Sequence, residues 1–305
     1  MARSENEPVT ILLSSFEGDR HIGEQIESIR AQSYSRWRLV CRDDGSTDDT
    51  VAIVRAAAAD DDRIRLVEDG DHLGPAASFF RLLDQVDDSR FAFCDQDDIW
   101  EPHKLAWSMA ELDRAAASIA AVFTDALIAD GDGRVVGGSA FADRGLGGSP
   151  TFGELLMINA AIGATIVGTA ALAEAIRVNE QPDTMHDWWV AVVAAYAGEL
   201  RMLDAPTMRW RRHEATATGG AGGDGSIGTA ARRANVEWSS ATAQRLLNSD
   251  LPPVASSASR QLATVRDLGG EGFGLRSVAA ADRAGARPWP TRRRLALWAA
   301  ALPPN

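Results

Sequence analysis

The sequence predicts an α/β fold: a mixed, mainly parallel sheet with helices on both faces, followed by a C-terminal helical region. Two observations carry this. Short apolar runs alternate with helix-patterned stretches four times in the first 115 residues, which is the signature of strand–helix–strand units. Polar clusters then fall just after three of the apolar runs, at Ser14–Glu17, Asp43–Ser46 and Asp95–Asp98. Open α/β sheets bind their ligands there, beyond the carboxyl ends of the strands.

Each element follows in order. Val9–Ser14 reads as the first strand, and Ile22, Ile26 and Ile29 set a helical period over His21–Gln32. Trp37–Cys41 is a second strand, and the run from Asp43 to Asp49 is a turn leading into a helix over Thr50–Ala59, with Ser46 or Thr47 as its capping oxygen. Arg63–Val67 is a third strand. Gly74-Pro75 opens a helix through Val86, with proline at a tolerated first-turn position. Arg90–Cys94 is a fourth strand, and a helix starts at Glu101-Pro102. Ala121–Ala129 and Arg134–Gly138 then form an antiparallel pair around Asp130–Gly133. Gly145–Pro150 is a loop, Asp187–Ala197 a helix, and Leu200–Leu203 and Thr207–Trp210 two strands. Thr216–Gly228 is a glycine-rich hinge, and Thr229 onwards is helical with a break at Pro252-Pro253. The expected division is residues 1–220 as one unit, with a first part over about 8–120 and a second over about 120–220, and residues 221–305 as hinge and helical extension.

With 305 residues, 45% hydrophobic, the chain suits one large domain or two small ones and needs no disulfides. Its two cysteines, Cys41 and Cys94, sit in apolar runs, which excludes a disulfide framework. The polar start, without an apolar signal core, argues against export and for the cytoplasm. Charge is uneven: residues 201–305 carry 15 arginines against 8 acidic residues, net +7, while the first 200 carry 35 acidic against 16 basic, net −19. The acidic front argues against nucleic acid and suits divalent cations. The basic rear suits anions.

Four constellations carry chemistry. Asp95, Asp97 and Asp98 follow an apolar strand, and carboxylates converging at a strand end repel one another unless a cation neutralises them. Oxygen ligands of this kind suit Mg²⁺ or Mn²⁺ bridging to substrate phosphates. Asp43-Asp44-Gly45-Ser46 is either a turn and helix cap or, through a carboxylate, a contact to a base N–H. Asp187, before Trp188 and Trp189, is either a cap or a general base raised by burial. Arg209-Trp210-Arg211-Arg212-His213 is either a solvated basic face or an anion clamp, and a neutral His213 offers a further metal nitrogen.

Together these residues resemble the GT-A glycosyltransferases of family 2, and within them the bacterial rhamnosyltransferase-like group. The resemblance runs through Thr10–Gly18, Gln25–Tyr34, Asp43–Thr50 and Leu73–Phe79. It continues through Asp95–Trp100 with Lys104-Leu105, a form of the family's DxD motif, then His186–Trp189 and Arg212-His213. It implies that Ser14, Phe16 and Asp44 hold the nucleoside, with Glu17 beside them on the donor side. It implies Asp95 at ribose or metal, Asp97 as main metal ligand, and Asp187 as the base that deprotonates an acceptor hydroxyl. His213 would ligate metal or touch the pyrophosphate, and Arg211 or Arg212 would stabilise the departing diphosphate. Phe16 replaces the commoner tyrosine, and Thr216 stands where the subgroup often has asparagine. The implied donor is a nucleoside diphosphate sugar, dTDP-rhamnose or a UDP-sugar. The implied acceptor is a glycan, a lipid-linked glycan or a small molecule. A non-catalytic nucleotide-sugar binder is the alternative of another class. The basic, tryptophan-containing segment 286–298 suits peripheral contact with the inner face of the plasma membrane, packing on the domain, or a homodimer contact.

Overall fold

The computed structural model describes residues 7–156, 158–179, 185–212, 229–254 and 258–266. His213, the glycine-rich segment 216–228 and the basic segment 286–298 lie outside the described residues. The first half follows the expected alternation: β1 (Val9–Ser15), α1 (Ile22–Arg30), β2 (Trp37–Asp43), α2 (Thr50–Asp60), β3 (Ile64–Val67), α3 (Pro75–Leu83) and β4 (Arg90–Asp95). β1 pairs in parallel with β2 and β4, and β2 with β3. Helices cover both faces, so β1 is apolar on both: Leu12 packs with Phe79, Phe80 and Phe93, while Ile11 and Leu13 pack with Ile22, Ile26 and Ile29. The cap of α2 differs from expectation. Asp48 Oδ1 accepts the Thr50 amide (3.0 Å), whereas Ser46 Oγ donates to Asp43 (2.6 Å) and Thr47 bonds to Glu17, so both hydroxyls are used inside the preceding turn.

The second half adds β5 (Ile99–Trp100), α4 (Lys104–Leu112), β6 (Ala120–Ala129), β7 (Val135–Ser139), α5 (Ala140–Arg144), α6 (Phe152–Leu155), β8 (Val167–Thr169), α7 (Ala170–Arg177), α8 (His186–Ala197) and β9 (Glu199–Arg211). Among the described residues all nine strands join one sheet, ordered β3-β2-β1-β4-β8-β6-β9-β5, with β7 paired to β6. β8 runs antiparallel to both β4 and β6 and links the parallel half to the parallel β6–β9 pair.

The expected β6–β7 hairpin forms. Where two strands were expected there is one long β9. Register shifts opposite Thr124–Leu127 absorb the segment around Pro206, whose nitrogen has no hydrogen to give a ladder. α4 starts at Lys104, later than the expected Glu101-Pro102, because Ile99 and Trp100 first pair with β9. The short helices α5 and α6 flank the expected loop at 145–150. Beyond them, α9 (Thr229–Asn248) and α10 (Ala258–Arg266) lie on either side of Pro252-Pro253 as expected, and Trp238 rests on Trp188 with ring centroids 3.4 Å apart. Among the described residues no helix is long and apolar enough to cross a membrane.

One backbone crossing fixes where α8 hands over to β9. The Glu199 amide donates to the Ile119 carbonyl (3.0 Å), and a Cβ on Gly198 would lie 1.8 Å from that same oxygen. Gly198→Ala should therefore cost roughly 1–3 kcal/mol as overpacking against backbone, read as a fall in melting temperature. An unchanged melting temperature would mean that the crossing yields freely.

Candidate active site

The pairing register determines what meets what. Ser14 lies opposite both Arg42 of β2 and Asp95 of β4, and Ser15 lies opposite Asp43. The three polar clusters thus end level along one sheet edge, where they open into a cleft of about 360 Å³. Ser14, Phe16, Asp44, Asp95 and Asp97 line it, and Asp187 joins them from the first turn of α8.

At one end Asp44 acts as a staple. Its buried carboxylate accepts Arg42 Nη1 (2.5 Å) and the amides of Leu73 and Gly74 (2.8 Å each). Burial alone would raise its pKa, but these donors outweigh burial and hold it below the usual value. The staple draws the chain after β3 over the cleft, so that the His72 ring tilts against Phe16 at 4.8 Å. Phe16 is itself latched by Gln96, whose amide accepts from Phe16 N and donates to Phe16 O at 2.9 Å each. Ser14 Oγ bonds to Ser78 Oγ (2.7 Å).

At the other end negative charge is crowded. Burial, then Asp97 and Asp187, push Asp95 up to about 7. Burial, then Asp97 and Asp95, raise Asp98 as well. Asp98 Oδ1 accepts the Arg211 amide (3.1 Å). Beneath them lies fully buried Lys104, its Nζ 4.8 Å over the Trp100 ring and lowered to about 8 by burial. Burial also raises Asp187, against the Trp188 amide (2.7 Å), Arg144 and Asn159 Nδ2 (2.9 Å), which favour its charged form.

Residues 11–139 match the family model described as Glycosyl transferase family 2. The Bacillus subtilis protein EpsE is 35% identical over 107 residues, 35% of this chain and 38% of that protein. The Escherichia coli UDP-Glc:alpha-D-GlcNAc-diphosphoundecaprenol beta-1,3-glucosyltransferase WfgD is 32% identical over 97 residues, 32% of this chain and 38% of that protein. The match thus spans well under half the length of these curated relatives. Among solved structures, Staphylococcus aureus TarS 1–349 in complex with UDP-GlcNAc aligns with TM-score 0.59 at 18% identity, over 91% of this chain and 79% of that one. The mannosyltransferase PcManGT from Pyrobaculum calidifontis, in complex with GDP-Man and Mn²⁺, aligns with TM-score 0.57 at 15% identity, over 97% of this chain and 84% of that one. The fold is therefore GT-A-like.

Three residues expected at the donor lie away from the cleft. Glu17, in left-handed backbone (φ 48°), spends its carboxylate on the Thr47 amide and hydroxyl (2.7 and 2.9 Å). Arg211 is buried: it donates to the Asp97 carbonyl (2.9 Å) and pairs with Glu24, so its guanidinium supports the acidic turn from behind. Arg212 pairs with Asp143 (2.9 Å) and lies over Trp210. Strand alternation explains Arg211, because Trp210 faces the cleft and the next residue of β9 faces the other way.

Sequence reading missed Arg144, at the end of α5. It lines the cleft, lies 5.4 Å over the Trp210 ring and raises the charged fraction of Asp187. Among the described cleft-lining residues it is the only lysine or arginine. It sits in a short helix past the matched stretch, and only its charge signalled it. Gln96 was visible only as a spacer between aspartates.

Asp95 and Asp97 are the described residues suited to a cation. No group of three or more His, Cys, Asp and Glu side chains is arranged for one among the described residues. Two carboxylates still fit Mg²⁺ or Mn²⁺, which keep waters and take remaining oxygens from substrate phosphates. The raised pKa of Asp95 is the mark of negative charge that a cation would relieve.

That shift has a stability consequence. Burial and the neighbouring carboxylates push Asp95 up to about 7 in the folded chain, well above the ordinary carboxylate range of about 4, so the folded state holds its proton longer. Its contribution is full below about pH 4 and is lost as pH rises through about 7. Asp95→Asn should flatten this part of the metal-free melting-temperature profile. A slope identical to the native protein's would show that Asp95 is not held protonated.

Proposed function

We propose that this chain is a metal-dependent, inverting glycosyltransferase that moves a sugar from a nucleoside diphosphate donor to an acceptor hydroxyl in cell-surface glycan synthesis. The observation that carries this reading is the meeting of Asp187 with Asp95 and Asp97 in one cleft. A binder would need no buried carboxylate of raised pKa at that place.

Asp187 acts as general base. Its burial moves it towards working pH, and Asn159 and the Trp188 amide fix its orientation through Oδ1. It takes the proton of the acceptor hydroxyl as that oxygen attacks the anomeric carbon. The bond from that carbon to the diphosphate oxygen breaks on the opposite face, and the diphosphate carries away the electron pair. One displacement inverts the centre. When bound at Asp95 and Asp97, Mg²⁺ or Mn²⁺ supplies positive charge for the departing diphosphate. Arg144 supplies the chain's own cation on the cleft wall, the role expected of Arg211 or Arg212. Arg211 holds the acidic turn that presents Asp97. Ser14, Phe16 and Asp44 form the nucleoside end.

The subgroup resemblance supports dTDP-rhamnose as donor. A UDP-hexose is the second reading, favoured by the UDP-glucose in the name of WfgD and the UDP-GlcNAc bound to TarS. The WfgD name also supports a lipid-linked acceptor, which would place the reaction at the inner face of the membrane.

A thermal-shift and transfer panel of dTDP-rhamnose, UDP-glucose and UDP-GlcNAc with Mn²⁺ tests the reading, with a shift and slow diphosphate release expected for one donor. No shift and no release with any donor would sink it. Asp187→Asn should lose about 10²–10⁴-fold in turnover while keeping donor binding. Near-native turnover would refute the base. Asp97→Ala should lose the Mn²⁺-dependent part of donor affinity by calorimetry, and an unchanged affinity would refute that assignment.

A further inference from the structure

His186 precedes the base, and the mechanism above does not use it. It opens α8, is 2% exposed, and lines the cleft. Its ring stacks on Phe79 with centroids 4.0 Å apart and meets Phe93 edge-on at 4.8 Å. Both ring nitrogens are buried, and neither has a hydrogen-bond partner within the protein. A ring that only filled this aromatic box would be more stable as phenylalanine, because burying unpaired polar nitrogens costs free energy.

The surroundings show how a ligand could reach that ring. A Cβ on Gly163 would lie 2.9 Å from His186 Nε2 and 3.4 Å from Asp187 Cβ. Gly163 lines the same cleft, so the wall in front of Nε2 and beside the base is glycine backbone that carries no side chain. Burial pushes the imidazole down to about 3, so at working pH it is neutral. A neutral imidazole presents one N–H donor and one lone pair, suited to an uncharged hydroxyl, whereas phosphate oxygens favour charged donors.

We propose that His186 is a specificity-determining residue that makes one hydrogen bond to a sugar hydroxyl at the reacting end of the cleft, past the backbone of Gly163. The assignment rests on the transferase reading above. The hydroxyl belongs to the transferred sugar or to the acceptor, and two assays separate these. Donor hydrolysis without acceptor involves only the transferred sugar, and full transfer involves both.

The test compares dTDP-rhamnose or UDP-glucose, whichever the native chain hydrolyses, with its monodeoxy analogues, and an accepted sugar acceptor with its own. The native protein should disfavour one analogue roughly tenfold in kcat/KM. His186→Phe, which keeps the aromatic packing, should lower kcat/KM for the parent sugar by a similar factor and leave that analogue unchanged, so that the discrimination disappears. His186→Gln should restore part of it. Should the phenylalanine variant fail to melt cooperatively, Gly163→Ala, which sets a methyl against Nε2 and keeps the imidazole, must erase the same discrimination. A purely structural role would slow all sugars alike. If the folded variants keep the native ratio for every analogue in both assays, the proposal is overturned. If the native chain neither hydrolyses nor transfers any donor, the transferase reading fails first and this assignment falls with it.

Discussion

Crowding of like charge at a desolvated sheet edge is the constraint that organises this molecule. Parallel pairing of β1 with β2 and β4 brings their carboxyl ends level, and the residues after those ends are mostly aspartates. Two carboxylates about 4 Å apart repel by about 4 kcal/mol at an effective dielectric near 20, which is large against the net stability of a domain. The chain answers from behind and leaves the front exposed to its ligands. Lys104 and Arg211 lie buried under the acidic turn, and Arg144 stands on the cleft wall near Asp187. Asp95 and Asp187 nevertheless retain raised pKa values, so the offset is partial. Partial offset is what the proposed reaction would need, with a cation drawn in and a base kept near working pH.

The supports reach across the whole domain. Arg211 ends β9, yet it ties the acidic turn to α1 through Glu24. Its guanidinium passes where Gly133, at φ 75°, has no side chain, and a Cβ there would come within 2.9 Å of Nη2. A turn glycine in the β6–β7 hairpin thereby makes room for an arginine that steadies a carboxylate site contributed by β4. This is why an arginine-rich run that reads as an anion clamp is in fact divided. One arginine is a buried brace, the next a surface ion pair, and the tryptophan before them forms cleft wall.

Legibility followed the range of the forces involved. The parallel half was readable because its apolar periods are local and strong, as in Ile22, Ile26 and Ile29, and because its strands end in conspicuous acidic clusters. Asp187 was readable as a candidate, but its meeting with Asp95 depends on α8 packing under the sheet, which no local pattern encodes. β5 has two residues and exists only because β9 passes beside it. The helices α5 and α6 are too short to show a period, so Arg144 fell in a stretch, 139–144, to which the sequence assigns no element. Asp44 offered two readings, turn or base contact, and the structure shows a third use that sequence could not supply: it fastens the chain at 73–74.

The cleft also divides by polarity in a way that fits a substrate with two unlike ends. Along the acidic turn carboxylates predominate, so recognition there is electrostatic, weakened by salt and indifferent to the fine stereochemistry of a sugar. Beside the base, the wall changes to Phe79 and a neutral imidazole backed by Phe93, where an unmatched hydroxyl would lose its water without recompense. Electrostatics can hold a diphosphate whatever hexose it carries. Telling one hexose from another requires directional hydrogen bonds in a dry pocket, because epimers differ only in where a hydroxyl points. The apolar box around His186 provides that kind of environment, a few ångströms from the carboxylate that would take the acceptor's proton. Selectivity and proton transfer thus share one turn of α8. A change of donor in such a scaffold would be sought in the rings lining this box before the aspartates.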